Sequence, residues 1–166
     1  SAGSGVAVAA NYAVAAIGTE TSGSILSPSS MNSVVGLKPT IGLASRTGIV
    51  PISSTLDTPG PMTKTVIDNA IVLDAMDGAD EADAITSEAP AQRTFVQAFA
   101  TGTLEEKRLG AIAALVEGDS LYAAAVGALR ASGAEVIEIT PPDISLNGFL
   151  SILNGDMIRD LPHYFN

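Results

Sequence analysis

The 166-residue sequence contains no cysteine and no tryptophan, and aromatic residues make up only 4% of it. Without cysteine there can be no disulfide, thiolate metal site or cysteine nucleophile. Cations are also few: 8 lysines and arginines stand against 18 acidic residues, giving a net charge of −10. This balance disfavours nucleic-acid binding through a basic surface. The longest apolar run, residues 6–17, contains Asn11 and is too short to span a bilayer. These features predict a soluble protein without a nucleic-acid or membrane partner, with the cytoplasm as the favoured location.

Histidine is nearly absent as well. The single histidine, His163, lies three residues from the end of the sequence, and no serine motif is directed at it. A Ser-His-Asp triad is therefore not expected. A nucleotide-binding loop is not expected either, because residues 3–5 (GSG) are followed by Val8 where a third glycine would be needed.

The acidic residues after position 76 do not have the spacing of a calcium-binding loop. They are predicted to form a solvated acidic loop, and no metal or cofactor is expected. The four residues concerned are Asp77, Asp80, Glu81 and Asp83.

Hydrophobic residues, mostly Ala, Val, Ile and Leu, make up 46% of the chain, which is enough for one domain with a core. Their periodicity predicts an α/β chain with a mixed β-sheet and flanking helices, including a β-α-β unit whose two strands are parallel. The predicted elements are a flexible lead-in at 1–5, a helix at 6–11, a strand at 13–17, a helix after residue 25, short strands and ordered loops crossing a sheet face at 36–61, a helix from Thr65 to Gly78, a strand at 107–113, a helix from Asp119 to Ala131, a strand at 134–139 and a helix at 146–161.

The chain is organised around residues 18–25 (GTETSGSI), a glycine- and hydroxyl-rich turn between an apolar strand and a helix start. A serine in such a turn projects its hydroxyl from the end of a sheet, and the neighbouring backbone N–H groups can face an anion. One loop can thereby provide a serine nucleophile and an oxyanion hole. The alternative interpretation is that Ser24 is only the N-cap of the helix.

Three segments, 18–25 (GTETSGSI), 34–40 (VVGLKPT) and 57–62 (DTPGPM), resemble the amidase signature family in order and spacing. The Thr-Glu-Thr before Gly-Ser resembles its peptide-amidase-like branch. The resemblance implies a partial amidase signature fold and a C–N hydrolase that acts on linear carboxamides, such as a small amide or a peptide amide. It makes Ser24 the nucleophile of an acyl-enzyme mechanism. The oxyanion hole is then formed by the backbone N–H groups of Thr21, Ser22, Gly23 and Ser24.

The family activates its serine with a neutral lysine, which accepts a proton through a second serine on a cis peptide bond. The resemblance puts this relay serine immediately before Ser1 and the lysine further upstream. Both are expected to be absent from this chain, which is interpreted as a middle fragment with little activity on its own. Lys38, Lys64 and Lys107 lie in other motifs and are not expected to be the base. Lys38 and Arg46 are predicted to be solvated or to brace loops.

Two positions depart from the family pattern. Leu26 stands where many members have arginine, and Ser22 replaces a glycine or aspartate; both are interpreted as changes in substrate range. The chain is predicted to be a single partial amidase domain, divided into a signature core (1–78), an acidic linker (79–103) and a β-α-β support with a terminal helix (104–166). The alternative function is a non-catalytic truncated domain that forms a homo-oligomer or is complemented by another chain.

Overall fold

The computed structural model describes residues 1–88 and 94–165, and the predicted α/β class is confirmed. The chain divides into two compact units, Ser1–Ala100 together with Asn147–Asn166, and Thr101–Leu146. In chain order the elements are α1 (Ala2–Ala9), β1 (Ala15–Glu20), α2 (Leu26–Met31), β2 (Val35–Gly36), β3 (Thr58–Thr63), α3 (Val66–Met76), a 3-10 helix (Ala84–Glu88), α4 (Phe95–Thr101), β4 (Arg108–Ile112), α5 (Ala113–Gly118), α6 (Ser120–Ala131), β5 (Glu135–Ile139) and α7 (Phe149–Phe165).

The sheet of the first unit has the order β1-β3-β2, and both pairings are antiparallel. Its central strand, β3, contains Pro59 and Pro61, which cannot donate to a ladder. The Pro61 carbonyl accepts the Leu37 N–H at 3.1 Å. Because the nitrogen and the carbonyl of one residue point to the same edge of a strand, both prolines turn their nitrogens away from β1. β2 covers only the last two residues of that edge, so a proline is tolerated there.

Helix α1 begins at Ala2, so the predicted flexible lead-in at 1–5 is wrong. Two serine hydroxyls hold the start of this helix against β1. The Ser1 hydroxyl donates to the Thr19 carbonyl at 3.0 Å and accepts the Thr19 N–H at 2.8 Å, and the Ser4 hydroxyl donates to the Ile17 carbonyl at 2.9 Å. These tertiary bonds outweigh the low helix propensity of the glycines.

The helix predicted to start at Thr65 is confirmed. The Thr65 hydroxyl caps α3 by accepting the Asp68 N–H at 3.2 Å, and α3 ends at Met76. The segment 37–57, all of it described, contains no strand and makes only a single bridge, between Ala44 and Asp77. The strands predicted in it are therefore wrong, because its backbone groups bond to buried side chains instead of to a ladder.

The prediction of a solvated acidic loop is also wrong. Asp83 is buried and pairs with Arg46, with Nη2 to Oδ1 at 2.7 Å and Nε to Oδ2 at 2.9 Å. The hydrogen bond between them lowers the pKa of Asp83 and raises that of Arg46. Asp80 accepts the Ser45 and Thr47 hydroxyls at 2.5 and 2.6 Å. Arg46 therefore braces the loop, which is one of the two roles predicted for it.

The second unit contains the predicted β-α-β unit: β4 and β5 pair in parallel, and α6 lies between them in the chain. The Asp119 carboxylate caps α6 by accepting the N–H groups of Leu121 and Tyr122 at 2.9 and 3.0 Å. Gly133 follows α6 with φ +91°, a left-handed conformation that favours glycine. Helix α5 was not predicted from the sequence.

Helix α7 belongs to the first unit and is longer than the predicted 146–161. Its Asp156 accepts the Ser53 hydroxyl at 2.5 Å, and its Asp160 accepts the Ser54 N–H at 2.8 Å. The hydrogen bond from Ser53 lowers the pKa of Asp156 to about 2. None of the helices in the described ranges combines the length and the apolar character needed to traverse a bilayer.

The division into a core, a linker and a support stays a prediction. Residues 89–93 of the predicted linker and residue 166 of the predicted support lie outside the described residues.

Candidate active site

The turn that carries Ser24 is shorter than the sequence predicts. Strand β1 runs on to Glu20 and α2 begins at Leu26, so residues 18–20, predicted as turn, belong to the strand. The turn proper is 21–25. It connects the end of β1 directly to α2, as the strand-turn-helix pattern requires, and Ser24 lies half-buried in it.

Ile25 anchors this turn to the sheet. Its side chain is fully buried, and it lies against three glycines, one on each strand: Gly18, Gly36 and Gly60. A Cβ added at these positions would lie 3.0, 3.0 and 2.9 Å from Ile25 atoms. Side chains there would displace Ile25, because protein interiors are close-packed. The three glycines therefore allow the residue after Ser24 to pack directly on the sheet.

Glu20 holds the helix side of the turn. Its carboxylate is buried, and one oxygen, Oε2, accepts the N–H of Ile25 at 2.8 Å and that of Leu26 at 2.9 Å. These are N–H groups at the start of α2, which have no partner within the helix. The capping function thus belongs to Glu20, and no side-chain cap comes from Ile25, which occupies the N-cap position. The interpretation of Ser24 as an N-cap is wrong.

Asp57 holds the strand side of the turn. Its carboxylate is buried and accepts the Thr21 hydroxyl, while its Oδ2 accepts the N–H groups of Ile52 and Ser53, both at 2.8 Å. Neither Glu20 nor Asp57 was singled out from the sequence, although both lie in the signature segments. The sequence offered a signal only for Glu20, an acidic residue directly before the glycine- and hydroxyl-rich turn, because Asp57 lies 36 residues from Thr21.

Between these two carboxylates the backbone N–H groups are unused. Within the described part of the chain, none of the N–H groups of residues 21–24 donates a hydrogen bond, and the Ser24 hydroxyl has no partner. Gly23 has φ +95°, a left-handed conformation that a residue with a side chain adopts at a cost. An added Cβ there would meet nothing within 4 Å, so the backbone and not the space demands glycine.

An open depression of about 510 Å³ lies beside the turn. Among the described residues, no ionisable side chain lines it. Its lining consists of Ser1, Ala2, Ser22, Gly23, Ser24, Ser27, Pro28, Met31 and Asn32. The structure therefore brings together Ser24 and two of the predicted oxyanion-hole residues, with Ser1 at the same depression. Thr21 adjoins it in the turn but does not line it.

The other candidate residues lie elsewhere. His163 lines a second depression, of about 400 Å³, with Arg46, Asp83 and Tyr164. Lys38 Nζ donates to the Pro39 carbonyl at 3.2 Å, and Lys64 Nζ bonds to the Asn11 side chain. In the described ranges, no group of three or more His, Asp or Glu residues is placed to hold a metal ion.

The model of the Amidase family matches residues 1–152 of the chain. A "Probable amidase" of Arabidopsis thaliana is 44% identical over 150 residues, which cover 88% of this chain and 29% of that protein. One subunit of the glutamyl-tRNA(Gln) amidotransferase of Cereibacter sphaeroides is 41% identical over 148 residues, covering 86% of this chain and 30% of that protein.

Solved structures agree with these relatives. The peptide amidase of Stenotrophomonas maltophilia matches with a TM-score of 0.85 at 42% identity, covering 99% of this chain and 35% of that one. The corresponding subunit of the Thermotoga maritima glutamyl-tRNA(Gln) amidotransferase matches with a TM-score of 0.83 at 32% identity, covering 95% and 36%. The chain thus spans about a third of the length of these relatives. Sequence and fold together show that this chain is a member of the amidase family.

Proposed function

We propose that this chain carries the nucleophile and the oxyanion hole of a C–N hydrolase that cleaves linear carboxamides. The observation that carries the proposal is the turn at 21–25, where an uncommitted serine hydroxyl adjoins four backbone N–H groups with no partner in the described structure. These residues are half-buried or exposed beside an open depression, so four donors without a protein partner are available to an anion next to the serine hydroxyl.

In the proposed reaction, the Ser24 Oγ forms a bond to the carbonyl carbon of the amide while its proton passes to a base. The carbonyl oxygen becomes an oxyanion, and the N–H groups of residues 21–24 donate to it. The C–N bond then breaks, and the proton is delivered to the leaving nitrogen. Water hydrolyses the resulting ester of Ser24 by the same route. Each oxyanion donor contributes about 10²–10³-fold in rate in enzymes of this kind.

The proton path requires groups that the depression does not provide. No ionisable side chain among the described residues lines it, and an unassisted serine hydroxyl is a weak nucleophile. The resemblance implies a relay serine and a neutral lysine, and the place of Ser1 at the depression supports a relay serine next to it. We therefore expect a polypeptide of these 166 residues alone to turn over amides very slowly, by the oxyanion hole alone.

The proposed substrate is a small amide or a peptide amide without a charge next to the scissile bond. A depression without ionisable side chains among the described residues, together with Leu26 in place of arginine, favours neutral groups at this position. The name of the Stenotrophomonas protein, peptide amidase, supports the amide class.

Two measurements on the 166-residue polypeptide test the proposal. An activated ester, p-nitrophenyl acetate, needs no proton for its leaving group, and the Ser24 proton can pass to the buffer, so we expect slow acetylation of Ser24, detected by mass spectrometry of peptides. Ser24→Ala should show no acetylation at this peptide. Ammonia release from simple amides should be far below the rates of about 1–10³ s⁻¹ usual for enzymes. Absence of Ser24 acetylation would refute the nucleophile, and Ser24-dependent amide turnover at ordinary rates would refute the low activity.

A second candidate is association with another chain, including a second copy of this one. The observation that favours it is a set of exposed large apolar side chains on α7, where Leu150, Ile158 and Phe165 are 69%, 77% and 74% exposed. Exposed apolar side chains on one helix can mark an interface. Sedimentation at high concentration tests it: a monomer without any partner-dependent activity would argue against this candidate.

A further inference from the structure

We infer that Glu20 and Asp57 are positioning residues, whose buried carboxylates hold the Ser24 turn from its two ends and keep its four N–H groups directed at the oxyanion. This inference rests on the proposed function. It goes further in assigning a role to two acidic side chains that neither line the depression together with Ser24 nor take part in the proton path.

The Glu20 contact fixes the position of Ser24. Its Oε2 binds the N–H of Ile25 at 2.8 Å and that of Leu26 at 2.9 Å, so it holds the two peptide planes that follow Ser24. The first of these planes contains the Cα and the carbonyl carbon of Ser24, so the contact fixes the C-terminal side of the Ser24 backbone. The same contact removes two further N–H groups from the turn, which leaves only those of residues 21–24 for a ligand. Hydrogen bonds to an ionised, buried acceptor are among the stronger ones in proteins.

The Asp57 contact fixes the first residue of the turn. Its carboxylate accepts the Thr21 hydroxyl and is itself held by the N–H groups of Ile52 and Ser53, both at 2.8 Å. Thr21 is the first of the four proposed oxyanion donors. A carboxylate with three donors in a buried site has little freedom to move, so it gives Thr21 a rigid reference point.

Such precision matters for the proposed chemistry. A displacement of about 1 Å in a group that stabilises a transition state can reduce the rate about 10²-fold. Ile25 packs at one end of the turn, but residues 21–24 are small or hydroxyl residues, with a glycine at φ +95° that has open space around it, so they have few packing contacts of their own to prevent that displacement. The two carboxylates supply the missing constraint at both ends.

An equilibrium probe tests the inference without a catalytic base. Phenylboronic acid accepts the Ser24 Oγ: a B–O bond forms, boron becomes tetrahedral and anionic, and the serine proton goes to solvent. One boron-bound oxygen then occupies the oxyanion position. Affinity measured by ¹H–¹⁵N NMR titration reports on Ser24 and on the N–H groups of residues 21–24 together, and Ser24→Ala shows the background.

Three variants separate positioning from folding. Thr21→Val keeps the shape of the side chain and leaves Asp57 with its two backbone donors, so the fold should persist, yet we expect an affinity about 10-fold lower. Glu20→Ala should lose at least as much, whereas Glu20→Gln retains an acceptor for both N–H groups and should restore most of the affinity. Glu81→Gln, the same charge change at an exposed site, is the matched control and should bind as the parent does.

Each outcome is decisive. If the parent protein binds the boronate and Thr21→Val and Glu20→Ala bind it equally well, with unchanged NMR signals elsewhere, the positioning role is refuted while the proposed function stands. If the parent shows no Ser24-dependent binding, the proposed function itself is refuted, and this inference with it. Should Glu20→Ala fail to fold, Thr21→Val and Glu20→Gln still decide. The inference is supported if Thr21→Val loses boronate affinity and Glu20→Gln retains it. It is overturned if Thr21→Val retains the affinity of the parent protein.

Discussion

Two serines of the first unit, Ser24 and Ser53, differ in how their hydroxyls are used. Ser53 is fully buried; its hydroxyl donates to Asp156 at 2.5 Å and accepts the Leu56 N–H at 3.2 Å. Ser24 is half-buried, and its hydroxyl has no partner in the described structure. Both lie near a buried carboxylate. At Ser53 the carboxylate binds the hydroxyl itself, and at Ser24 the carboxylate of Glu20 binds the backbone that carries it.

The same contrast holds for backbone donors. In the segment 52–54 each N–H group donates to a carboxylate, of Asp57 or of Asp160. In the turn 21–24 none of the four donates to a described residue. A cluster whose N–H groups all have acceptors contributes to stability, whereas N–H groups without an acceptor in the protein remain available to bind a ligand. The difference predicts that changes near Ser53 act on folding and that changes near Ser24 act on binding.

The largest effect is expected from Gly60→Ala, which introduces a steric clash in the sheet that the turn packs on. Its Cβ would lie 2.1 Å from the Leu37 carbonyl oxygen and 2.9 Å from Ile25 Cδ1. Overpacking against backbone should lower the free energy of unfolding by about 3 kcal/mol or more and weaken boronate binding as well. Chemical denaturation measures the first and NMR titration the second.

Gly127→Ala is the matched control for Gly60→Ala. It adds the same methyl group inside helix α6, where nothing lies within 4 Å, and should stabilise the protein by about 0.5–1 kcal/mol. Equal stabilities of the two variants would contradict the close packing of Gly60 against the Leu37 carbonyl and Ile25.

The second largest effect is expected from Asp83→Asn, which removes a carboxylate from the hydrogen-bonded region of the first unit. It removes the charge that pairs with Arg46 at 2.7 Å and leaves a largely buried guanidinium with the Ser54 carbonyl and the neighbouring charges of Asp57 and Asp160. Loss of one partner of such a pair should cost about 3 kcal/mol of unfolding free energy. Boronate affinity of the folded protein should not change. A changed affinity with unchanged stability would contradict the contrast; exposed Asp143→Asn serves as the control.

A smaller effect is expected from Gly23→Ala. The added methyl group meets nothing within 4 Å, so only the φ of +95° opposes it, at a cost of about 1–2 kcal/mol. We expect this cost to appear mainly as weaker boronate binding, because the turn can relax by giving up its open geometry. Gly23→Asn should be milder, since asparagine tolerates left-handed backbone better than alanine. If alanine bound the boronate at least as well as asparagine does, the backbone argument would fail.

The smallest effect is a local one that depends on pH. The pKa of Asp156 is lowered from 3.8 to about 2 by the hydrogen bond from Ser53. A lowered pKa of an acid contributes stability that is present above the ordinary value and is lost as the pH falls through the folded value. The contact between α7 and the segment 53–55 should thus weaken between about pH 4 and pH 2. Amide exchange in α7 measures it. Ser53→Ala should move the loss to higher pH, and identical profiles would contradict the assignment.

Much of the architecture could be predicted because local signals agreed with one another. The threonine cap and apolar face of α3, and the strand, capped helix and glycine of the β-α-β unit, each carry their own evidence in the sequence. Strand β3 could not be recognised in this way. Two prolines argue against a central strand, and only the unpaired edge beside them makes it feasible. The first half of the helix of residues 2–9 was hidden similarly, because two glycines obscured bonds made to β1, whereas its second half lies in the predicted helix at 6–11.

For the candidate site, the motif predicted where Ser24 and its N–H groups lie along the chain. It could not predict which groups would be occupied, since that depends on side chains distant in sequence. Thr21 and Asp57 are 36 residues apart, and Arg46 and Asp83 are 37 apart. The acidic run after position 76 was misread for this reason: composition describes how many charges there are, while tertiary structure decides which are neutralised.

The packing of Ile25 on three glycines has a consequence for how this protein could be diversified. At Gly18 the nearest obstacles are side-chain atoms of Ile25, Met62 and Ser1, whereas an added Cβ at Gly36 meets Ser29 at 2.0 Å and one at Gly60 meets the Leu37 carbonyl oxygen at 2.1 Å. In a combinatorial library, a substitution at Gly18 should therefore be rescued by a smaller residue at position 25, whereas substitutions at Gly36 or Gly60 should not be. Such pairwise dependence would be visible in sequencing counts, even where each change alone is lost from the pool.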